Sequence, residues 1–231
     1  MNLCTEIVSL LKDNLENILQ LRGDFSVKSD NSYVSKGDLL VQSLVLDLIK
    51  KSLPTHTLIS EELAPFNNID WNPLGSYVIL DPIDGTENFV SGLKEWGIGI
   101  SVYTEGVHIQ SCIFLPELHD YIITGMHQEK FKSRIMGLSS SLTKSDLLSL
   151  SPKEGYEYRI IGCSMYNTLS AIRGSFVSFE NVNGVNCWDI LPGLNLALEH
   201  GCNVIVDSKP YFGEILFPTK KYKIKISNLA N

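Results

Sequence analysis

The chain of 231 residues lacks features that mark membrane-spanning and nucleic-acid-binding proteins. No apolar run approaches the roughly 20 residues that a membrane-spanning helix needs. Lys and Arg number 19 against 26 Asp and Glu, and the net charge of −7 argues against a nucleic-acid polymer as partner. A small phosphorylated substrate is compatible with this charge, because a bound cation inverts the potential of an acidic site.

Cysteine is scarce and scattered. The five cysteines include no CxxC pair, and they are Cys4, Cys112, Cys163, Cys187 and Cys202. This pattern predicts a reduced protein rather than a disulfide framework or a zinc site. The N-terminal stretch "MNLCTEIVSLLKDNLENILQ" carries charges inside its apolar periodicity, so it is interpreted as neither a signal peptide nor a membrane span. We therefore expect a cytoplasmic protein.

The composition, with 44% hydrophobic and 19% charged residues, is that of a globular protein. Apolar spacing predicts an amphipathic helix over residues 3–21 and a second helix that begins near Asp38. "YVIL" is typical of a buried strand, and the run from "WGIGISVY" through "DYIITG" predicts a meander of strands. Later segments predict strands at "YRIIG", "GSFVSF", "NVIVD" and "YKIKI", with a helix after "NCWDILPG".

Residues 126–158 are polar and rich in serine, with weak periodicity. We interpret them as a loop-rich junction between two subdomains. The predicted division is therefore an N-terminal part, residues 1–125, and a C-terminal part, residues 126–231.

The stretch "VILDPIDGTENF" places carboxylates directly after a buried strand. Asp81, Asp84 and the carbonyl of Ile83 can converge on one point beyond the strand, where hard oxygen ligands suit Mg²⁺. Without a cation the two carboxylates would repel each other, and the pKa of at least one would rise. The alternative interpretation is a solvated acidic turn, which Pro82 and Gly85 would also favour.

Three further segments carry charged groups near the ends of predicted core elements. Each has an ordinary explanation as a surface Glu pair, a helix N-cap or a polar connector. However, such ends are where α/β proteins gather ligands. The segments are "ISEEL" with Glu61 and Glu62, "NCWDILPG" with Asp189, and "VKSDNSYVSKGD" with Lys28, Asp30 and Asp38.

The stretch "DPIDGTENF" resembles the DPxDGTxNF signature of the inositol monophosphatase family. The "SEE", "KSDNSYVSKGD" and "CWDILPG...LEHG" segments follow the family's order and approximate spacing. The resemblance covers most of residues 1–124 and about 159–206. It implies an α/β fold of alternating helix–sheet–helix–sheet–helix layers, as in fructose-1,6-bisphosphatase and inositol monophosphatase.

The resemblance also implies residue roles. The metal ligands would be Glu61, Asp81, Asp84 and Asp189, with the carbonyl of Ile83. Asp38 and Thr86, together with Glu61, would serve the attacking water as catalytic residues. The phosphate and substrate contacts would be Gly85, Thr86, Lys28 of a mobile lid segment, Cys163 and Glu180.

The implied activity is Mg²⁺-dependent hydrolysis of a small phosphate monoester. Two or three Mg²⁺ ions, with Mn²⁺ as a substitute, would neutralise the phosphate dianion and activate a water molecule. Inhibition by lithium and assembly as a homodimer are expected by the same resemblance. We favour inositol monophosphate or a similar polyol phosphate as substrate. The alternatives are a 3′(2′),5′-bisphosphate nucleotide and histidinol phosphate.

Several positions depart from the family pattern. Cys163 stands where relatives carry a small hydroxyl residue, "EHGC" replaces the usual "EAGG", and Glu180 is offset by two residues from the family's substrate-contacting glutamate. A non-catalytic relative with a regulatory role is therefore a second hypothesis. A calcium-binding structural module is less favoured, because the carboxylates come from distant segments rather than from one EF-hand loop.

Overall fold

The computed structural model describes residues 2–63, 66 and 70–228. Its α-helices are α1 (Leu3–Asp13), α2 (Leu15–Gln20), α3 (Lys36–Ser52), α4 (Thr86–Val90), α5 (Lys144–Ser149), α6 (Ser164–Arg173) and α7 (Cys187–Glu199). Short 3-10 turns cover Glu61–Leu63 and Pro116–Leu118. The strands are β1 (Phe25–Val27), β2 (Tyr33–Ser35), β3 (Thr57–Ser60), β4 (Tyr77–Asp84), β5 (Gly97–Thr104), β6 (Val107–Leu115), β7 (Asp120–Ile123), β8 (Ile135–Leu138), β9 (Glu157–Ile160), β10 (Ser178–Val185), β11 (Asn203–Val206), β12 (Lys209–Pro210) and β13 (Tyr222–Ser227).

The first sheet has the strand order β3-β4-β5-β6-β7. β3 and β4 are parallel, whereas the other neighbours are antiparallel, which confirms the predicted meander of β5 to β7. Side chains alternate across β4, so Val78 and Leu80 join one hydrophobic cluster with Ile7 of α1 and Val45 of α3. Helices α1 and α3 therefore cover one face of this sheet.

The opposite face of β4 joins a second hydrophobic cluster. Tyr77 and Ile79 belong to it together with Leu169 of α6, Leu191 of α7 and Ile224 of β13. Since α6 and α7 share this cluster with both sheets, they lie between them. The N-terminal and C-terminal parts are thus joined through one continuous core.

The second sheet has the order β12-β11-β13-β10-β8-β9, with β8 parallel to both β9 and β10. The order of layers is helix, sheet, helix, sheet, so the predicted layered α/β class is confirmed. The last predicted helical layer is reduced to α5, which follows β8, precedes β9 and has no buried residue. A packed fifth layer is not formed by the part of the chain that the structure describes.

Two local predictions differ from the structure. The helix predicted over residues 3–21 is interrupted at Asn14, whose side chain donates a 2.8 Å hydrogen bond to the carbonyl of Leu10 and ends α1. The segment 126–158 contains β8 and α5 rather than loops alone. Helix α5 begins with a capping box between Thr143 and Asp146, a pattern readable in "TKSD".

All five cysteines are free and buried. The two ring nitrogens of His200 lie 2.8 Å from the carbonyl oxygen of Leu196 and 2.9 Å from that of Met126. Within the described residues, no helix is both long enough and apolar enough to cross a membrane.

A close approach of β5 to α6 gives the first testable prediction. A Cβ atom added at Gly97 would lie 2.8 Å from Leu115 Cδ2 and 3.0 Å from the Cβ of Met165. We expect Gly97→Ala to lower the free energy of unfolding by about 1–3 kcal/mol through overpacking, measured by urea denaturation. The matched control is Gly23→Ala, because nothing lies within 4 Å of a Cβ there. Equal stability of the two variants would contradict the prediction.

Candidate metal centre at the end of the first sheet

The acidic end of β4 is shaped by a bulge. Asp81 pairs with Gly99 and Asp84 pairs with Gly97, so β4 has one residue more than β5 in this interval. Residues three apart on a regular strand point to opposite faces, and the extra residue reverses the alternation. Ile83 accordingly joins the cluster of Val78 and Leu80. Both aspartates are thereby directed to the side of α6 and α7.

Glu61 and Asp81 are neighbours because β3 and β4 run in parallel. Ser60 is in register with Leu80, so the next residue of each strand is an acid at the same edge of the sheet. Glu61, Asp81 and Asp189 each offer a carboxylate oxygen, and these atoms lie within 4.8 Å of one another. Asp81 is fully buried, and no described residue donates a hydrogen bond to either of its oxygens. Two oxygens without a donor in a buried acidic group need either a proton or a cation.

Asp189 and Asp38 are each held by the first turn of a helix. Asp189 is the third residue of α7, and its Oδ2 accepts a 2.8 Å hydrogen bond from the amide of Asn186. Asp38 is the third residue of α3, and its Oδ2 accepts from the amide and the hydroxyl of Ser35, at 2.8 and 2.6 Å. The capping box uses one oxygen of each carboxylate and leaves the other for a ligand.

Asp84 is held across the molecule by the start of α6. Its Oδ2 accepts hydrogen bonds from the thiol of Cys163 at 2.9 Å and from the amide of Met165 at 2.5 Å. The Cys163 sulfur also accepts a 3.3 Å hydrogen bond from the amide of Tyr166, as the N-cap of α6. The C-terminal part thus orients a carboxylate of the N-terminal part. We refer to Glu61, Asp81, Asp84 and Asp189 as the acidic cluster.

Burial and mutual repulsion change the protonation of the acidic cluster. Burial, reinforced by the charges of Glu61 and Asp84, raises the pKa of Asp189 to about 8. Burial also raises the pKa of Asp84 to about 6, against the hydrogen bonds from Cys163 and Met165. The pKa of Asp81 is raised well above its ordinary value for the same two reasons, burial first. A set of carboxylates that resist ionisation together fits a hard divalent cation.

Thr86, Ile83 and Asp38 lie beside the acidic cluster. The Thr86 hydroxyl donates a 2.9 Å hydrogen bond to the carbonyl of Ile83 and lies 3.5 Å from Asp38 Oδ1. Burial raises the pKa of Asp38 to about 7. Gly85 precedes α4 with φ +82°, and an added Cβ would lie 3.1 Å from that of Cys163. Glycine is required there by both the backbone conformation and the approach of α6.

Lys28 reaches the site from the hairpin of β1 and β2. Its Nζ lies 2.7 Å from Glu61 Oε1 and 2.8 Å from Glu62 Oε1. Burial lowers the pKa of Lys28, but the charges and hydrogen bonds of the two glutamates outweigh burial and raise it above its usual value. The lysine therefore stays charged.

A cavity of about 160 Å³ adjoins Asp84 and Asp189. Its other walls carry mostly small polar side chains, namely Ser139, Ser140, Ser141, Cys163, Ser164 and Asn167, with Gly162, Phe179 and Val185. None of the described residues that line it is a lysine or arginine. The serines at 139–141, which we call the serine loop, and Asn167 were missed by the sequence analysis. The run "GLSSSL" was the available signal, but it was interpreted as a loop in a junction.

Glu180 lies elsewhere. Its carboxylate is 3.6 Å from Lys225 Nζ and lines a separate depression on the other face of the second sheet. The reason is strand alternation, because Phe179 faces the cavity beside the acidic cluster and the next residue of β10 points away from it. The inner face of β10 instead presents Asn181, which donates a 2.8 Å hydrogen bond to Ser139 of the serine loop. We therefore do not include Glu180 in the candidate site.

The chain is similar to known proteins in sequence and in fold. A model of the inositol monophosphatase family matches residues 1–220. The Nus factor SuhB of Pasteurella multocida (strain Pm70) is 26% identical over 202 residues, which are 76% of this chain and 72% of that protein. The Nus factor SuhB of Escherichia coli (strain K12) is 33% identical over 81 residues, 35% of this chain and 29% of that protein.

Solved structures share the fold. The IMPase of Thermotoga maritima superimposes with a TM-score of 0.76 at 22% identity, covering 96% of this chain and 90% of that one. Staphylococcal inositol monophosphatase-1, in a LiCl-soaked inhibitory complex, gives a TM-score of 0.78 at 19% identity, with coverage of 96% and 87%. An IMPase/NADP phosphatase complexed with Mg²⁺ and phosphate gives 0.75 at 21% identity, with coverage of 98% and 90%.

The raised pKa values of Asp84 and Asp189 predict a pH-dependent effect of metal. Between the ordinary carboxyl pKa of 3.8 and the folded values of about 6 and about 8, the unfolded chain loses these protons while the folded state retains them. Because the folded state binds more protons than the unfolded chain, the free energy of unfolding of the metal-free protein falls as the pH rises through that interval. We expect MgCl₂, compared with EDTA, to raise Tm little at about pH 5 and by about 5 °C or more at about pH 8. An equal effect at both pH values would contradict the prediction.

The contact of Cys163 with Asp84 gives a further prediction. Cys163→Ala removes one hydrogen-bond donor to a buried carboxylate. We expect the free energy of unfolding to fall by about 1–2 kcal/mol, measured by scanning calorimetry. We also expect Mn²⁺ affinity to weaken about 3- to 10-fold, measured by titration calorimetry. Cys163→Ser keeps a donor at this position and is expected to remain near the wild-type protein in both measurements. A serine variant as impaired as the alanine variant would show that packing, not hydrogen bonding, is what matters.

Proposed function

The chain belongs to the inositol monophosphatase family, and from this premise we propose that it is a Mg²⁺-dependent phosphatase acting on a small phosphate monoester. The observation that carries the proposal is the buried Asp81, whose two oxygens have no described hydrogen-bond donor and lie in one acidic group with Glu61 and Asp189. Such a group is stable only with protons or a cation. The four carboxylates of the acidic cluster, with the carbonyl of Ile83, would hold the ions.

The ions, Mg²⁺ or Mn²⁺, would neutralise the phosphate and lower the pKa of the attacking water. Asp38 and Thr86 would position that water. The Thr86 hydroxyl already donates to the Ile83 carbonyl, so its lone pairs are available to accept from water. Asp38, with a pKa of about 7, is suited to take up a proton near neutral pH. Asp38 Oδ2 accepts hydrogen bonds from Ser35, and these bonds fix the direction in which Asp38 Oδ1 points.

The phosphate would be held beside α4 and the hairpin. The amides of Gly85 and Thr86 open α4, where an anion is favoured. Lys28 would add a positive charge on the hairpin side. Neither contact requires a covalent phospho-enzyme.

The cavity beside Asp84 and Asp189 favours an uncharged polyol as leaving group. Its hydroxyl and amide groups, from the serine loop, Ser164 and Asn167, can exchange hydrogen bonds with substrate hydroxyls. A bisphosphate nucleotide would need a cation for its second phosphate, and the described lining offers no lysine or arginine. The volume of about 160 Å³ is also small for a nucleoside. Inositol monophosphate or a similar polyol phosphate is therefore preferred to a 3′(2′),5′-bisphosphate nucleotide, and histidinol phosphate is kept as an alternative for the substrate test.

A second candidate is a non-catalytic, regulatory family member. It is favoured by similarity to proteins named Nus factor SuhB and by the departures at Cys163 and "EHGC". Retention of all four carboxylates argues against it, because they repel one another once the cation is no longer needed. The cytoplasmic location and the homodimer remain predictions.

The test uses Asp81→Asn, with phosphate release measured on inositol-1-phosphate, 3′-phosphoadenosine 5′-phosphate and histidinol phosphate. We expect Mg²⁺-dependent turnover with the highest kcat/KM for the polyol phosphate, and a loss of about 100-fold or more in the variant, because the buried ligand loses its charge. The control is Glu180→Gln, which lies outside the site and should keep full activity. Unchanged turnover in EDTA would refute metal dependence. Mg²⁺ binding without turnover of any substrate would favour the regulatory candidate.

A further inference from the structure

Lys28 forms an ion pair with one carboxylate of the acidic cluster. Its Nζ lies 2.7 Å from Glu61 Oε1, and Glu61 is also one of the three residues whose carboxylate oxygens lie within 4.8 Å of one another. The Lys28 and Glu61 side chains are only 23% and 22% exposed. A cation supplied by the chain itself thus contacts the group that would hold metal.

The same ammonium has a second partner. Lys28 Nζ lies 2.8 Å from Glu62 Oε1, and the Glu62 side chain is 7% exposed. Glu62 is not among the three carboxylates that approach one another. Lys28 can therefore leave Glu61 and keep one ion pair, which avoids an unpaired charge at a half-buried site.

Lys28 belongs to a hairpin whose first strand is exposed. It follows β1, all three residues of which are exposed, in the hairpin that spans residues 25–35. Lys28 itself closes the turn, with its amide donating a 2.7 Å hydrogen bond to the carbonyl of Ser32. The ion pairs of Lys28 consequently connect this hairpin to the site.

We propose that Lys28 is an affinity-determining residue for the metal: its ammonium neutralises Glu61 when no divalent ion is bound, and the ion displaces it onto Glu62. The proposal rests on the metal site of the proposed function. A divalent ion carries twice the charge and approaches a carboxylate oxygen to about 2.0–2.1 Å, closer than the ammonium. The ammonium and the ion repel each other when both are at Glu61, so the ion prevails there.

Displacement also loosens the hairpin. With Glu61 committed to the ion, the turn at Lys28 keeps one ion pair instead of two. Occupation of the metal site is thereby coupled to the mobility of the hairpin, through the residues of this chain alone.

The test is calorimetric titration of the full chain with MnCl₂, without substrate. Lys28→Met removes the competitor, so we expect Mn²⁺ to bind about 3- to 10-fold more tightly. Lys28→Arg keeps the charge and should bind as the wild type does. The matched control is Lys36→Met, whose Nζ pairs with Asp24 at 3.0 Å in an exposed ion pair at the base of the same hairpin. It should leave the affinity unchanged.

Hydrogen exchange supplies a second readout. Mn²⁺ should speed amide exchange over residues 24–35 in the wild-type protein, whereas in Lys28→Met exchange should be fast with and without the ion. Unchanged or weaker Mn²⁺ binding by Lys28→Met, or slower hairpin exchange on adding Mn²⁺ to the wild type, would overturn the proposal. Failure of the wild type to bind Mn²⁺ at all would instead overturn the proposed function.

Discussion

The repulsion among buried carboxylates is the constraint on which the rest of the site depends. Asp81 has neither water nor a described donor, and Glu61, Asp84 and Asp189 add negative potential around it. Left as anions, these groups would cost the folded state more than a local packing change could recover. The fold tolerates them because each can share a proton, a lysine or a metal ion. The layered architecture brings Glu61, Asp81 and Asp189 together from the turn after β3, from β4 and from α7, so the site forms only when α7 has packed on the first sheet.

Local structure orients three of the aspartates by binding one oxygen of each. Helix caps hold Asp38 and Asp189, and the start of α6 holds Asp84. In each case the ordinary structural role and the proposed functional role belong to the same side chain. An N-cap interpretation and a metal-ligand interpretation of such an aspartate are therefore not alternatives, since a carboxylate has two oxygens and a capping box needs one.

The sequence predicted the layered α/β class and the meander of β5 to β7, because long apolar runs and a short, specific motif determine them. It also predicted which carboxylates to examine, and the structure brings Glu61, Asp81 and Asp189 together. Of the cavity wall it predicted Cys163 but neither the serine loop nor Asn167. The serine loop lacks periodicity, and its place is set by contacts such as that of Ser139 with Asn181, 42 residues later. Glu180 was predicted from the resemblance, as the nearest match to the family's substrate-contacting glutamate, but the alternation of side chains along β10 points it to the other face of the sheet.

The β4 bulge has a consequence for how this segment can change over time. Asp81 and Asp84 share a face only because one surplus residue offsets the pleat between them. Deleting or inserting one residue in this interval would turn one aspartate to the opposite face of the sheet, into the hydrophobic cluster beneath α1 and α3. A substitution in this interval changes one side chain, whereas a change in its length reverses the direction of an aspartate.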